Sequence, residues 1–169
     1  MSNARNLSNL LGTSTTVPSG NLPSGSVIQV ATDTSGSNTV ITGTTYTASS
    51  VSITFTPKKS NSTILLMWSG NVSQQTSGAN GFGLAFFEGS TQLTSQPSDG
   101  SGPFTLYKDE SRIFDYLTMS HSLSAGSTSA RTYTMRGRKY NGSVSDLNIG
   151  VSSTTSDGTQ SFTVMEIAG

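Results

Sequence analysis

The sequence predicts an all-β fold, an antiparallel β-sandwich or jelly roll with an extended N-terminal segment. First, 32 serines and 25 threonines make up about a third of the 169 residues. Their hydroxyls compete with helical hydrogen bonding, and threonine fits a pleated strand. Second, apolar and polar residues alternate with the period of two that is typical of half-buried strands. Third, turn residues separate about eight to ten such runs at regular intervals, as in a sandwich or jelly roll.

The bulk composition excludes several functions. The formal net charge is zero and only 11% of the residues are charged, whereas sequence-independent nucleic-acid binding needs a basic surplus. The chain has no cysteine, which rules out disulfides, thiolate metal sites and cysteine nucleophiles. No run approaches the ~18 apolar residues of a membrane span. We therefore expect no nucleic-acid partner, no cofactor and no membrane insertion.

Residues 1–25 differ from the rest of the chain and are predicted to form a separate segment. Leu7, Leu10 and Leu11 would share one face of a short helix. That helix is too short to be stable alone, and a Ser/Thr-rich hinge with prolines and glycines follows it. The segment is either a frayed terminus or a tether whose leucines dock on a partner. Residues 26–169 are predicted to form the β-sandwich domain.

The first predicted strands are short and rich in β-branched residues, at 26–32 and 40–47. Residues 51–55 then alternate apolar and hydroxyl side chains, the pattern of a half-buried strand. Pro57 ends this strand, because proline cannot donate to a strand ladder.

The strand that follows is apolar on both faces. Ile64, Leu66 and Trp68 share one face, while Leu65 and Met67 occupy the other. Such a strand is either central in the fold or packed against a partner subunit. We predict that Trp68 lies in the core.

The remaining chain is predicted to contain five more strands around one long irregular stretch at residues 94–111. The strands are expected around residues 82–86, 113–123, 130–140, 147–151 and 162–168.

A catalytic role for the single histidine is not favoured. His121 alternates with Leu117, Met119 and Leu123 at period two, which indicates an apolar strand face and not a site loop. A buried, hydrogen-bonded histidine near a subunit axis is the favoured interpretation. The chain lacks a Gly-x-Ser-x-Gly elbow and any metal-loop or histidine-pair motif. We therefore predict no enzyme activity, no catalytic residue and no metal site.

The basic residues cluster in one predicted strand. Arg136 and Arg138 share a face with Tyr140, while Arg131 and Lys139 point to the other face. Such a stripe either contacts phosphate or an acidic glycan, or forms a solvated edge that discourages strand-to-strand aggregation. The edge or interface interpretation is favoured.

The long irregular stretch holds the candidate receptor contacts. Phe104 and Tyr107 are aromatic residues predicted to be exposed there, beside Lys108 and Arg112. Loops on a rigid scaffold often carry binding sites. A host glycan is the ligand class considered for them. Asp109 and Glu110 are interpreted as a solvated ion-pair cluster with Lys108 and Arg112.

Five segments together carry a family resemblance: residues 1–12, 22–30, the strand and proline at 51–57, the Ser-x-Ile-Leu strand at 62–66, and the closing strand at 162–168. They resemble segments of small fibre-like or decoration virion proteins of tailed bacteriophages, especially marine ones. The resemblance implies a β-rich homotrimer on a virion assembled in the host cytoplasm, with a jelly-roll head like those of complement-C1q-like and tumour-necrosis-factor-like proteins. It also implies attachment to other virion proteins through the N-terminal segment. The alternative function is a glycan- or receptor-binding head that acts in host adhesion.

The homotrimer is also predicted from surplus apolar strand faces. The face of Leu65 and Met67, and the face of Leu117, Met119 and His121, exceed what one sandwich interior needs. In a homotrimer, like residues from three chains can meet near a common axis. These five residues are the predicted subunit interface.

Overall fold

The computed structural model describes residues 22–75, 80–94, 104–108, 112–150 and 158–169. The prediction of an all-β fold is confirmed. The described strands are β1 (Val27–Ser35), β2 (Thr39–Ile41), β3 (Thr47–Phe55), β4 (Thr63–Gln75), β5 (Asn80–Glu88), β6 (Thr91–Gln92), β7 (Phe104–Lys108), β8 (Arg112–Ser124), β9 (Arg131–Lys139), β10 (Leu147–Ile149) and β11 (Gln160–Ile167). In these same ranges no helix is long and apolar enough to cross a membrane.

The strands form two antiparallel sheets that pack face to face. Sheet A has the order β1-β11-β4-β10-β2, and β8 pairs with the other side of β4. Sheet B has the order β3-β9-β5-β6, and β7 also pairs with β5.

The long strands are connected as in a jelly roll. With the short β2, β6 and β10 set aside, β1 pairs with β11, β3 with β9, β4 with β8, and β5 with β7. The chain is therefore a long hairpin that is wound so that successive pairs alternate between the two sheets. This order confirms the predicted sandwich of the jelly-roll type.

The core lies between the two sheets and is rich in aromatic side chains. Trp68, Phe82, Phe86, Tyr133 and Phe162 are almost fully buried, so the predicted core position of Trp68 is confirmed. The rings of Phe86 in sheet B and Phe162 in sheet A stack with their centroids 5.9 Å apart. Truncating such a ring to alanine typically costs about 3–5 kcal/mol.

One end of the sandwich, here called the proximal end, is where Gly25 leads into β1. Gly25 N–H donates to the Ala168 carbonyl and Ala168 N–H donates to the Ser26 carbonyl, both at 2.8 Å. The pairs Val27 with Ile167 and Ile167 with Thr63 lie at this end. The opposite end, here called the distal end, holds the start of β5 and the ends of β7 and β9.

A buried carboxylate organises the proximal end. Glu166 accepts hydrogen bonds from the backbone N–H groups of Lys58 and Lys59, from the Ser62 hydroxyl at 2.7 Å and from the Gln29 amide at 2.7 Å. Burial alone raises the pKa of this carboxyl, but the donors from Lys58, Ser62, Lys59 and Gln29 together outweigh it and hold the pKa below 4.5. Glu166 thus fastens the β3–β4 connection to β1 and β11.

Two predicted boundaries are wrong. Residues 40–47 do not form one strand, because the chain crosses there from β2 in sheet A to β3 in sheet B. Residues 94–111 are not one irregular stretch, because β7 (Phe104–Lys108) pairs with the first half of β5.

Candidate functional site

The outward side of sheet A is the most distinctive surface of the described chain, and we call it the sheet A face. It arises from the period of two in four adjacent strands, whose alternate residues point away from the core. Its members are Val27, Val30, Thr32 and Thr34 of β1, Ser161, Thr163, Met165 and Ile167 of β11, Thr63, Leu65, Met67, Ser69 and Asn71 of β4, and Phe114, Tyr116, Thr118, Ser120, Ser122 and Ser124 of β8.

These members carry no formal charge. The side chain of Arg112, the first residue of β8, lies outside the described part of the chain. Large apolar and aromatic side chains are instead open to solvent: Val27 is 50% exposed, Val30 52% and Tyr116 62%. An antiparallel sheet that faces water usually presents polar side chains on its outer side. Ten members of this surface are serine or threonine, so it differs from an ordinary solvated sheet in its exposed apolar side chains and in the lack of charge among its described side chains.

A groove of about 310 Å³ lies within the sheet A face. The pairing of Met67 with Thr163 and of Ser69 with Thr118 places its walls on β4, β8 and β11. The lining residues are Met67, Trp68, Ser69, Tyr116, Thr118, Ser161 and Thr163. Thioether, phenol and hydroxyl groups line it, so the groove suits a side chain of mixed apolar and hydrogen-bonding character.

The five residues of the predicted subunit interface do not share one surface. Leu65 and Met67 lie on the sheet A face and are half-buried. Leu117, Met119 and His121 lie on the opposite side of the same sheet, because β8 pairs Met119 with Trp68 and thus with an inward position of β4. There Leu117 and Met119 pack against the core. Tyr116 and Phe114 alternate with them and occupy the outward positions of β8.

Of the predicted receptor contacts, Tyr107 alone has a side chain that is both described and exposed, at 53%. Phe104 is not an exposed loop residue, because it begins β7 and packs against the core. Its ring centroid lies 6.2 Å from that of Phe82. The interpretation of Phe104 as an exposed contact is therefore wrong. Lys108 and Arg112 belong to β7 and β8, but their side chains lie outside the described part of the chain.

The basic strand is not an edge. β9 lies between β3 and β5, so the interpretation of its arginines as an edge that prevents aggregation is wrong. The predicted division of its faces holds. Arg131 points inward to Glu88 at 3.5 Å, and Lys139 points to Asp146 at 3.1 Å. On the outer face of sheet B, Arg136 and Arg138 instead lie across aromatic rings.

Arg136 and Arg138 contact Phe87 and Tyr46. The guanidinium of Arg136 is 4.4 Å from the Phe87 ring centroid, and that of Arg138 is 5.4 Å from the Tyr46 centroid. Burial raises the pKa of the Tyr46 hydroxyl, although Arg138 opposes the increase by hydrogen bonding and by its charge. A guanidinium over a ring gains cation–π attraction, so these arginines cover aromatic surface as well as supplying charge.

The remaining predictions concern the residues proposed for virion attachment and the absence of a metal site. Leu7, Leu10 and Leu11 lie outside the described residues. Within the described ranges, no group of three or more histidine and acidic side chains could hold a metal ion.

No family model matches the chain, and no curated protein matches it. Several solved structures are distantly similar to its fold. The C-terminal domain of the sugar-binding protein EclA has 10% identity and a TM-score of 0.37, with 83% of this chain and 84% of that chain covered. A disulfide-linked pilus of Bacillus endospore appendages has 11% identity and a TM-score of 0.33, with 88% and 96% covered. The CBM22-1 xylan-binding domain of Xyn10C from Paenibacillus barcinonensis has 10% identity and a TM-score of 0.34, with 88% and 99% covered. TM-scores this low carry no argument about function.

Proposed function

We propose that the chain is a non-enzymatic structural subunit that assembles into a homotrimer through the sheet A face. The observation that supports this proposal is the lack of formal charge among the described side chains of the sheet A face, together with the exposed Val27, Val30 and Tyr116. The centres of protein interfaces are depleted in charged residues and enriched in aromatic residues and methionine. Full burial of a side chain the size of valine or leucine contributes about 1.5–3 kcal/mol.

Trimeric symmetry is supported by the resemblance to phage virion proteins with jelly-roll heads and by the jelly-roll order of the long strands. Leu65, Met67 and Tyr116 would contact sister chains in this assembly. Leu117, Met119 and His121 are not part of this proposed interface, since their strand face points inward.

In this proposal the assembly belongs to the virion of a tailed phage, as a capsid decoration, short fibre or knob. The N-terminal segment attaches the trimer to another virion protein through Leu7, Leu10 and Leu11. Two observations support this arrangement: the resemblance of residues 1–12 and 22–30 to such proteins, and the entry of the chain at the proximal end beside Ala168.

Deletion of residues 1–25 tests the attachment. The shortened chain should remain a trimer, because its sheet A face is unchanged. It should no longer bind to particles of the encoding phage that were assembled without this protein. A triple alanine variant at Leu7, Leu10 and Leu11 should lose binding as well, whereas alanine at Asn3 and Asn6 is the matched control. Undiminished virion binding by the deletion variant would overturn the proposed attachment.

A further inference from the structure

Two exposed tyrosines meet on the outer face of sheet B at the distal end. Tyr107 is 53% exposed and Tyr140 is 42% exposed. Their ring centroids lie 5.1 Å apart with an angle of 49° between the ring planes. Neither residue belongs to the hydrophobic core. We call this pair the tyrosine platform.

Gly81 makes room for the platform. Tyr107 pairs with Gly81 in the β5–β7 ladder, and Tyr140 N–H donates to the Gly81 carbonyl at 2.9 Å. A Cβ atom on Gly81 would lie 2.9 Å from Tyr107 Cδ2 and 2.9 Å from Tyr140 Cβ, closer than van der Waals contact allows. The two tyrosine side chains therefore pack over a position that only glycine fills without displacing them.

The surface beside the platform carries hydrogen-bond donors. Gly83 follows Gly81 on the same face of β5, and the Arg138 side chain lies over it. Arg138 precedes Tyr140 by two residues on β9, so the two side chains share the outer face. The resulting surface has aromatic rings at one end and a guanidinium next to them, in contrast to the aliphatic and hydroxyl groups of the sheet A face.

From this geometry we propose that the tyrosine platform is a carbohydrate-binding site that takes a pyranose ring. The C–H face of a pyranose is apolar and packs on an aromatic ring, while its hydroxyls need donors and acceptors at the periphery. The tyrosine rings supply the apolar contact and large contact area at low conformational cost. The phenol groups and Arg138 supply the polar periphery.

The location allows the platform to act independently of assembly. Sheet B is the layer opposite the sheet A face, so a trimer formed through sheet A leaves the platform open. Seven residue steps separate Gly81 from Glu88 at the other end of β5. At about 3.3 Å per residue, they place the platform about 23 Å from the proximal end. Gly25, at the point where the N-terminal segment joins the domain, and the sugar site would therefore lie at opposite ends of the domain.

Binding of the full chain to an array of immobilised neutral and acidic oligosaccharides tests the proposal. We expect saturable binding to at least one glycan, and Tyr107→Ala and Tyr140→Ala should each weaken it at least about tenfold. Tyr107→Phe keeps the ring and should retain most of the affinity. Ser52→Ala, on the same sheet and exposed, is the control that should bind like the unchanged chain.

Two results would overturn the proposal: no glycan bound by the folded chain, or binding that survives both tyrosine-to-alanine substitutions. The sedimentation velocity of each variant is measured in parallel. Because the platform is remote from the sheet A face, an unchanged oligomer is expected, and lost binding with an intact oligomer separates this site from the proposed assembly.

Discussion

A glutamate in place of Met67 should dissociate the trimer without unfolding the subunit. Met67 is half-buried on the sheet A face, in a row with Thr163 of β11 and Ser120 of β8. A substitution on the outer side of a folded sheet usually changes the free energy of unfolding by less than about 1 kcal/mol. The monomer should therefore tolerate Met67→Glu.

The cost in the assembly follows from the lack of compensating charge. None of the described side chains of the sheet A face is basic, so three glutamates would lose hydration without gaining an ion pair and would repel one another. Like-charge juxtaposition and unpaired polar burial cost several kcal/mol. A loss of about 4 kcal/mol in the free energy of association corresponds to a dissociation constant that is raised about a thousandfold.

Sedimentation equilibrium at micromolar concentration measures this change, and circular dichroism with urea titration checks that the variant is folded. Ser120→Glu, at an exposed position of the same face, should dissociate the trimer too. Thr54→Glu, at an exposed position of sheet B, is the matched control and should leave it intact. Met67→Glu and Ser120→Glu variants that both remain trimeric would refute the reasoning, because the sheet A face could not then be the interface.

Three further predictions concern the stability of the subunit. Glu166→Gln should lower the free energy of unfolding, measured by urea titration, by about 2–4 kcal/mol, because buried donors lose a charged acceptor. Glu88→Gln is the control: its ion pair with Arg131 is partly exposed, so this substitution should lower the free energy of unfolding by less than about 1 kcal/mol. Since the pKa of Glu166 is lowered from 4.5, its contribution is complete above that pH and is lost as the pH falls through the folded-state pKa. Urea midpoints measured from pH 6 to pH 3 should therefore fall more steeply for the unchanged chain than for Glu166→Gln, and parallel curves would contradict this. Gly150→Ala should cost at least about 2 kcal/mol, because its φ is +95° and a Cβ would lie 2.6 Å from the Ser37 carbonyl; an unchanged thermal midpoint would contradict it.

The strands that could be predicted from sequence are those with a clear alternation. β3 and β9 show it, with apolar side chains mainly on one face. Trp68 lies in the strand that is most apolar, which predicts its core position, and the structure confirms this. β7 is not predicted, because five residues next to prolines and glycines carry too weak a pattern. The break between β2 and β3 is not predicted, because three of the five residues that cross between the sheets are threonines, which are β-branched like many residues of the strands.

Alternation shows which residues share a face, but it does not show which face is inward. In β8 both sets contain large apolar side chains, with Leu117 and Met119 on one side and Phe114 and Tyr116 on the other. Pairing with β4 decides between them, because Met119 lies opposite Trp68. Likewise, the central position of β9 depends on pairing with β3 and β5, which are remote in sequence. Neither the sheet A face nor the tyrosine platform could be assembled without these registers.

The mass of the unchanged chain in solution tests the central claim most directly. Multi-angle light scattering at micromolar concentration should give three chains of 17.6 kDa, about 53 kDa. A mass of 17.6 kDa would contradict the claim that the sheet A face is covered by sister chains.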